Sequence, residues 1–83
     1  MWFTYIIQCK DNSLYTGITN DLQRRFLEHK QGKGGKYTRS HKVLKIVFFE
    51  KLLTRSEASK REAQIKGWSR EEKENLVKSF KSA

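Results

Sequence analysis

The sequence has no proline, a single cysteine, and no apolar run near the ~18 residues that a membrane-spanning helix needs. Cys9 cannot form an internal disulfide, and no cysteine or histidine lies near it at the spacing of a metal site. The N-terminus also lacks the charged and then apolar composition of a signal peptide. We therefore expect a soluble protein in a reducing, cytoplasmic environment.

Acidic residues are also scarce, with nine against eighteen lysines and arginines, which gives a net charge of +9. This excess favours a polyanionic partner, with nucleic acid first and an anionic membrane surface second. With 83 residues the chain is too short for two separate cores, so we expect one domain over residues 1–83. Charge alone fits equally well a small basic protein that binds RNA or DNA without further activity.

The first part of the chain predicts a β-hairpin followed by a helix. Residues 2–8 and 14–18 are rich in β-branched and aromatic side chains and are separated by a polar turn, which is typical of two paired strands. Asn20 predicts the N-cap of the helix, with Gln23 completing a capping box, and the helix should end before Gly32.

The middle of the chain predicts a loop and then a third strand. Residues 31–42 contain three glycines and four lysines or arginines, and we expect a flexible, strongly charged loop. Residues 43–50 are nearly continuously apolar, which predicts a strand that is central or packed on both faces.

Two capping boxes predict two helices in the last part of the chain. Thr54 with Glu57 opens a helix over residues 55–66, and Ser69 with Glu72 opens the final helix. The resulting order, ββαβαα, predicts an α+β fold in which helices cover a three-stranded sheet.

Glu62 is the sharpest single candidate for a functional residue. It shares a helical stripe with Ala58 and Ile65, and a carboxylate on an apolar stripe must be paired, capped or bound to a ligand. One Mg²⁺ would satisfy it, because that ion accepts few protein ligands and keeps several waters. A salt bridge to Arg25 would satisfy it equally well.

Four further side chains suit the hydrolysis of a phosphodiester, which needs an activated water and a cation for the developing charge. Arg25 can grip a phosphate with two hydrogen bonds, and His29 lies on the same stripe of its helix. Tyr5 and Tyr15 could pass on a proton, although a phenol titrates near ~10 unless a cation lowers its pKa. The alternative is a solvated basic helix face and two ordinary strand aromatics.

The basic middle segment predicts contact with nucleic acid. It lacks the Gly-Lys-Ser/Thr ending of a P-loop, so nucleotide hydrolysis is disfavoured, whereas its lysines can follow a phosphate backbone and its tyrosine can stack on a base. A solvated loop is the alternative, and we expect His41 and Cys9 to take no part. The candidate nucleic-acid contacts are Arg24, Lys33, Lys36, Tyr37, Arg39 and Lys42.

These residues together resemble the GIY-YIG endonuclease superfamily, most closely its small stand-alone bacterial members, over essentially the whole chain. Tyr5 and Glu62 contribute to the resemblance along with three segments. The segments are Leu-Tyr-Thr-Gly-Ile-Thr-Asn-Asp-Leu at 14–22, Arg-Arg-Phe-Leu-Glu-His at 24–29 and Gly-Lys-Gly-Gly-Lys-Tyr-Thr-Arg at 32–39. The resemblance implies a three-stranded antiparallel sheet with flanking helices.

The resemblance also implies a role for each of five residues. Tyr15 corresponds to the tyrosine proposed as general base, and Tyr5 beside it would position water or phosphate. Arg25 would bind and polarise the scissile phosphate, and His29 would support the phosphate or a proton relay. Glu62 would hold a single Mg²⁺ or Mn²⁺.

The chain departs from the family pattern at two signature positions, where it has Phe3-Thr4-Tyr5 and Tyr15-Thr16-Gly17. Neither change removes a proposed catalytic side chain. The resemblance implies a metal-dependent DNA endonuclease in repair or recombination, with structure-selective cleavage as a further expectation. A nucleic-acid-binding module without its own activity is the alternative, RNA stays open as a substrate, and a protein partner would supply the targeting domain that larger relatives carry.

Overall fold

The computed structural model describes residues 1–82. The three strands form one antiparallel sheet in the order β2-β1-β3, which confirms the predicted α+β fold with flanking helices. Within residues 1–82, none of the helices combines the length and apolar character needed to cross a bilayer. The elements are β1 (Trp2–Cys9), β2 (Leu14–Thr19), α1 (Leu22–Lys30), α2 (Lys36–His41), β3 (Val43–Leu52), α3 (Arg55–Lys66) and α4 (Arg70–Ser82).

The central strand is β1, so residues 43–50 are not the central strand, but the alternative prediction that they pack on both faces is confirmed, with Val43 in one core cluster and Val47 in the other. β3 lies at one edge and pairs only with β1. The register between them shifts beside Ile6, where Val47 is the extra residue of a bulge. Val47 and its neighbour Phe48 are therefore both buried in the same cluster, which accounts for the unbroken apolar run.

Successive side chains of β1 point to opposite faces of the sheet, and the core therefore has two layers. Tyr5, Ile7 and Cys9 point to the side of the sheet that α1 covers, where Phe26 packs against them. Ile6 points to the other side and packs with buried Ile65 of α3. The side chains of Tyr5 and Ile6 therefore belong to opposite layers, which matters for the site described below.

The predicted N-cap of α1 at Asn20 is wrong by one residue. Asp21 has an extended backbone, and its carboxylate accepts a hydrogen bond from the Arg24 backbone N–H at 3.1 Å. Asn20 accepts instead from the Arg24 guanidinium, also at 3.1 Å. Both residue types cap helices well, so the local sequence did not distinguish between them.

Residues 31–42 are not a loop throughout, as predicted, because α2 lies within them. Six residues that include tyrosine, threonine, serine and histidine have little helix propensity of their own. Two contacts to neighbouring elements hold them. The Thr38 hydroxyl is hydrogen-bonded to His29 of α1, and the Tyr37 ring stacks on Tyr15 of β2.

The predicted starts of the last two helices are confirmed. Thr54 accepts a hydrogen bond from the Glu57 backbone N–H at 3.1 Å, and α3 spans the predicted residues 55–66. At α4 the Ser69 side chain accepts from the Glu72 backbone N–H, and the Glu72 carboxylate accepts from the Ser69 N–H.

Candidate active site

Tyr5 and His29 form a buried hydrogen-bonded pair between β1 and α1. Their exposed fractions are 2% and 1%, and the Tyr5 hydroxyl lies 2.8 Å from His29 Nε2. Thr38 Oγ1 lies 2.8 Å from His29 Nδ1 and donates to the Gly35 carbonyl. This network fits one tautomer, in which Tyr5 donates to Nε2 and the Nδ1–H donates to Thr38.

The surroundings keep this pair neutral. Burial raises the pKa of Tyr5 to about 12, the nearby Arg25 guanidinium works in the opposite direction, and Tyr15 and Glu62 add to the rise. Burial also lowers the pKa of His29 to about 4, with the charge of Arg25 adding to the effect. At neutral pH, Tyr5 therefore keeps its proton and the imidazole carries no charge.

Arg25 is fixed beside the pair by contacts on two sides. One terminal nitrogen lies 3.1 Å from the Glu28 carboxylate, and the other donates to the Gly34 carbonyl at 2.9 Å. The side chain remains 32% exposed. A guanidinium has five N–H donors, so these two hydrogen bonds orient the group and leave donors for an anion.

Tyr15 completes an aromatic cluster on the same side of the sheet. Its ring centroid lies 5.2 Å from that of His29 and 6.5 Å from that of Tyr5. Tyr37 of α2 stacks against Tyr15 at 5.7 Å. Within residues 1–82, no hydrogen-bond partner is found for the Tyr15 hydroxyl, in contrast to that of Tyr5.

His41 and Cys9 were expected to take no part in the site, and their surroundings differ. The His41 ring stacks on Tyr37 with centroids 4.2 Å apart, and its Nδ1 lies 2.6 Å from the Asp11 carboxylate. These contacts attach α2 to the turn of the hairpin. Cys9 is a buried free thiol whose pKa burial raises, which leaves it unreactive.

Glu62 comes from the opposite layer of the fold. It lies on α3 between Ala58 and Ile65, which are fully buried against the other side of the sheet. The Glu62 side chain is 23% exposed, and its carboxylate lies 3.2 Å from the Lys66 ammonium. The partner is therefore Lys66 and not Arg25, the alternative that the sequence left open.

The charge of Glu62 nevertheless acts on Tyr5 across the sheet. α3 contacts both β1 and β2, and the charge of Glu62 contributes to the raised pKa of Tyr5. The structure thus brings together Tyr5, Tyr15, Arg25 and His29 on one side of the sheet, whereas Glu62 lies on the other side and its charge makes the smallest contribution to the raised pKa of Tyr5.

Two glycines make room for the buried pair. A Cβ atom on Gly17 would lie 2.5 Å from the Tyr5 hydroxyl oxygen, and one on Gly34 would collide with the His29 ring. The group that approaches Gly17 so closely is therefore the phenol of Tyr5. Gly34 and Thr38 were missed, because neither residue type signals chemistry; the only pointer was their place in the segment that resembles the family.

The residues that could hold a divalent cation are few. Within residues 1–82, no three histidine, cysteine, aspartate or glutamate side chains gather as a metal site. Glu62 is the carboxylate whose charge affects Tyr5, and a single carboxylate suits Mg²⁺, which keeps several waters and takes other ligands from a substrate phosphate. The donor set therefore fits one ion held mainly together with substrate.

The six predicted nucleic-acid contacts are all exposed. They lie on α1, on α2 and in the segments that flank α2, and one of them, Tyr37, stacks on Tyr15. Tyr37 is 39% exposed, so part of its ring remains open to solvent. The residues are Arg24, Lys33, Lys36, Tyr37, Arg39 and Lys42.

The sheet, the paired tyrosines and the arginine beside a buried histidine define a GIY-YIG domain. A family model described as the GIY-YIG catalytic domain matches residues 1–75, and the chain belongs to this family, whose members are nucleases that act on DNA. The resemblance stated from the sequence is confirmed.

More specific relatives are small UPF0213 proteins. One from Haloquadratum walsbyi is 48% identical over 75 residues, covering 90% of this chain and 84% of the relative. Another from Desulfotalea psychrophila is 51% identical over 78 residues, covering 93% and 71%. The solution NMR structure of a UPF0213 protein from Bacillus halodurans is 42% identical with a TM-score of 0.60, covering 94% of this chain and 84% of that one. That of an E. faecalis protein, also 42% identical, has a TM-score of 0.62 and covers 98% and 86%.

Proposed function

We propose that this chain is a metal-dependent endonuclease that hydrolyses phosphodiester bonds in DNA. The observation that carries the proposal is the hydrogen bond between Tyr5 and His29, with the Arg25 guanidinium beside it and the Tyr15 ring against it. A buried, neutral pair next to an oriented cation is suited to holding a phosphate and its attacking water. The membership in a nuclease family supports the same assignment.

Arg25 binds the scissile phosphate. Its contacts with Glu28 and Gly34 fix the plane of the guanidinium before substrate arrives, so little conformational entropy is lost on binding. The remaining N–H donors stabilise the negative charge that develops on the phosphate oxygens in the transition state.

The two tyrosines have different roles because their hydroxyl groups differ. Tyr5 keeps its proton and uses it to donate a hydrogen bond to His29, so its oxygen can accept a hydrogen bond from the attacking water but does not act as base. The Tyr15 hydroxyl makes no such hydrogen bond, so it can take the proton of the attacking water while its own hydroxyl proton passes to solvent. His29 keeps Tyr5 in place and is itself held by Thr38.

Glu62 holds the cation, a single Mg²⁺ or Mn²⁺. When bound, the ion would supply positive charge to the phosphate. Glu62 must exchange the Lys66 ammonium for the ion, and that contact, which leaves Lys66 54% exposed, is weak enough to be exchanged.

The proposal also covers the nucleic-acid contacts, a protein partner and the cellular role. The six exposed candidates, from Arg24 to Lys42, bind the nucleic-acid backbone, and a protein partner supplies targeting. We assign the activity to structure-selective cleavage in DNA repair or recombination in the cytoplasm. The buried, unreactive Cys9 is compatible with that reducing environment.

The proposal is tested by incubating the purified protein with duplex, single-stranded and branched DNA, and with RNA. Each substrate is assayed with Mg²⁺, with Mn²⁺ and with a chelator. We expect cleavage of at least one DNA substrate that depends on the ion, with branched DNA preferred over duplex. Cleavage of RNA alone, or cleavage that the chelator leaves unchanged, contradicts the proposal.

A nucleic-acid-binding module without its own activity is the second candidate. The ion pair between Glu62 and Lys66 favours it, because this contact satisfies the carboxylate without a metal ion. On this hypothesis the protein binds DNA with and without divalent cations and cleaves none of the substrates, so the same assay distinguishes the two functions.

A further inference from the structure

A cavity of about 360 Å³ lies next to the candidate active site but is not part of it. His29 and Thr38 form part of its wall, whereas neither tyrosine of the site, nor the arginine, nor the glutamate lines it. Four basic residues line it, and they come from the turn after β1, the end of α1, and α2 with its C-cap. They are Lys10, Lys30, Arg39 and Lys42.

The charge in this cavity has one sign. No carboxylate lines it, and among the described residues none of the four cations forms an ion pair. Like charges that converge without a counterion repel one another, and a cleft lined by one sign of charge concentrates the opposite ion. The cavity is therefore built to attract an anion.

Lys42 adds a second, independent observation. Its φ is +52°, in the left-handed region that favours glycine and that lysine rarely adopts. Its N–H donates to the Thr38 carbonyl and its carbonyl accepts from the Lys10 N–H at 2.9 Å, so the backbone is held in this conformation. Lys42 is the C-cap of α2, so this conformation ends the helix and places a charged side chain at the rim of the cavity.

We propose that this cavity binds a phosphate group of the nucleic-acid strand other than the phosphate that is cleaved. Its wall offers ammonium and guanidinium groups, the Thr38 hydroxyl and the Gln31 amide, and its only ring is that of His29. Without a tyrosine, phenylalanine or tryptophan for stacking, it recognises phosphate and sugar and not a base. The identity of the ligand as a nucleic acid rests on the function proposed above.

His29 and Thr38 belong both to the cavity wall and to the candidate active site, and this gives the second phosphate a function. His29 and Thr38 are hydrogen-bonded to each other, and His29 is hydrogen-bonded to Tyr5. A phosphate held in the cavity is therefore placed at a fixed distance from the Tyr5 hydroxyl. The cavity thereby sets the position of the strand, and with it the choice of the bond that is cleaved.

The test measures binding without cleavage, in the presence of a chelator. Inorganic phosphate and a short single-stranded DNA are titrated into the protein while the backbone amides of Gly32, Thr38 and Arg39 are followed by NMR. The DNA carries a 5′-phosphate, a 3′-phosphate or neither. The variant combines Lys10→Gln with Lys42→Gly, which removes two charges and relieves the backbone strain, and Lys51→Gln, an exposed lysine of β3 outside the cavity, is the control.

We expect saturable amide shifts with inorganic phosphate in the wild type and in the control, and no saturation in the double variant. The slope of log affinity against log salt for the DNA should fall by about 1.4 in the double variant, since each lost contact to a single strand removes ~0.7. Tighter binding of one phosphorylated DNA, by about tenfold, identifies a terminal phosphate. Equal binding of all three identifies a phosphate within the strand.

An unchanged salt slope in a folded double variant, or phosphate shifts that do not saturate in the wild type, would overturn the proposal. These outcomes are independent of the nuclease assay, because no divalent cation is present and no bond is cleaved. A protein that cleaves DNA but fails this test retains the function proposed above, and a protein that passes it without cleaving DNA retains the phosphate site.

Discussion

The absence of a side chain at Gly17 determines where the Tyr5 hydroxyl can lie. A Cβ atom there would lie 2.5 Å from the hydroxyl oxygen and 2.7 Å from the carbon that carries it. We therefore expect Gly17→Ala to displace Tyr5 from His29 and to lower the free energy of unfolding by about 1–3 kcal/mol, measured by urea denaturation.

The matched control for this substitution is Gly67→Ala at the end of α3. A Cβ atom on Gly67 would have no neighbour closer than 3.5 Å, and the backbone conformation, with φ of −81°, accepts alanine. We expect a change within about 0.5 kcal/mol. Equal losses of stability for the two substitutions would contradict the close approach at Gly17.

Arg25 is the residue whose loss should affect both binding and catalysis. Arg25→Ala removes a phosphate contact and a transition-state contact, so we expect weaker DNA binding and a fall in kcat of about 10²-fold or more. Arg24→Ala is the comparison, because Arg24 bonds to Asn20 and not to the site. It should weaken binding while leaving kcat near the wild-type value, and the same loss of kcat in both variants would refute the distinction.

At the scale of single residues, the sequence pointed to charged and aromatic candidates, four of which the structure brings together, but not to the small residues around them. Tyr5, Arg25 and His29 were identified because their chemistry and spacing match a known pattern. Thr38 and Gly34 carry no such signal. Their importance follows from a buried imidazole that needs an acceptor and from a backbone that must pass close to its ring, and both are properties of the packing.

At the scale of elements, one of the contacts that hold α2 is a buried hydrogen bond to α1. Thr38→Val removes the acceptor of the His29 Nδ1–H and leaves that group buried and unsatisfied, at a cost of about 1–3 kcal/mol. Thr38→Ser keeps the hydroxyl and should retain most of the stability. Urea denaturation gives the free energies, and amide hydrogen exchange within α2 should accelerate in the valine variant. Equal behaviour of the two variants would contradict this dependence.

The predictable elements are those whose signals are local. The capping boxes of α3 and α4 and the turn between β1 and β2 depend on residues close in sequence, and they were found. α2 and the edge position of β3 were missed. Contacts with distant residues stabilise α2, so a short window of sequence does not show the helix. The apolar run of β3 contains a bulge opposite β1, and the run by itself does not show that the strand lies at the edge.

At the scale of the whole molecule, stability should depend on pH through His29. Its pKa is about 4 in the folded protein and near ~6.5 in the unfolded chain, so the unfolded state binds more protons as the pH falls between these values. The contribution is present above pH ~6.5 and is lost towards pH ~4, by roughly 3 kcal/mol. Urea denaturation at several pH values measures this loss.

The same pKa can be observed directly by NMR. The chain has two histidines, so His41→Gln leaves only His29 to titrate. We expect its ring signals to remain those of the neutral imidazole until the pH approaches 4. A midpoint near 6.5 would show that the buried pair with Tyr5 does not exist in solution.

The candidate site draws on both layers of the fold, and Glu62 is the part supplied by α3. The nuclease account therefore depends most on whether this carboxylate acts together with the residues on the other side of the sheet. The decisive measurement is the nicking of supercoiled plasmid in Mg²⁺ by the wild type and by Glu62→Ala, with DNA binding measured in parallel. We expect the variant to bind DNA within about twofold of the wild type and to lose cleavage. Equal nicking by both proteins would contradict the account.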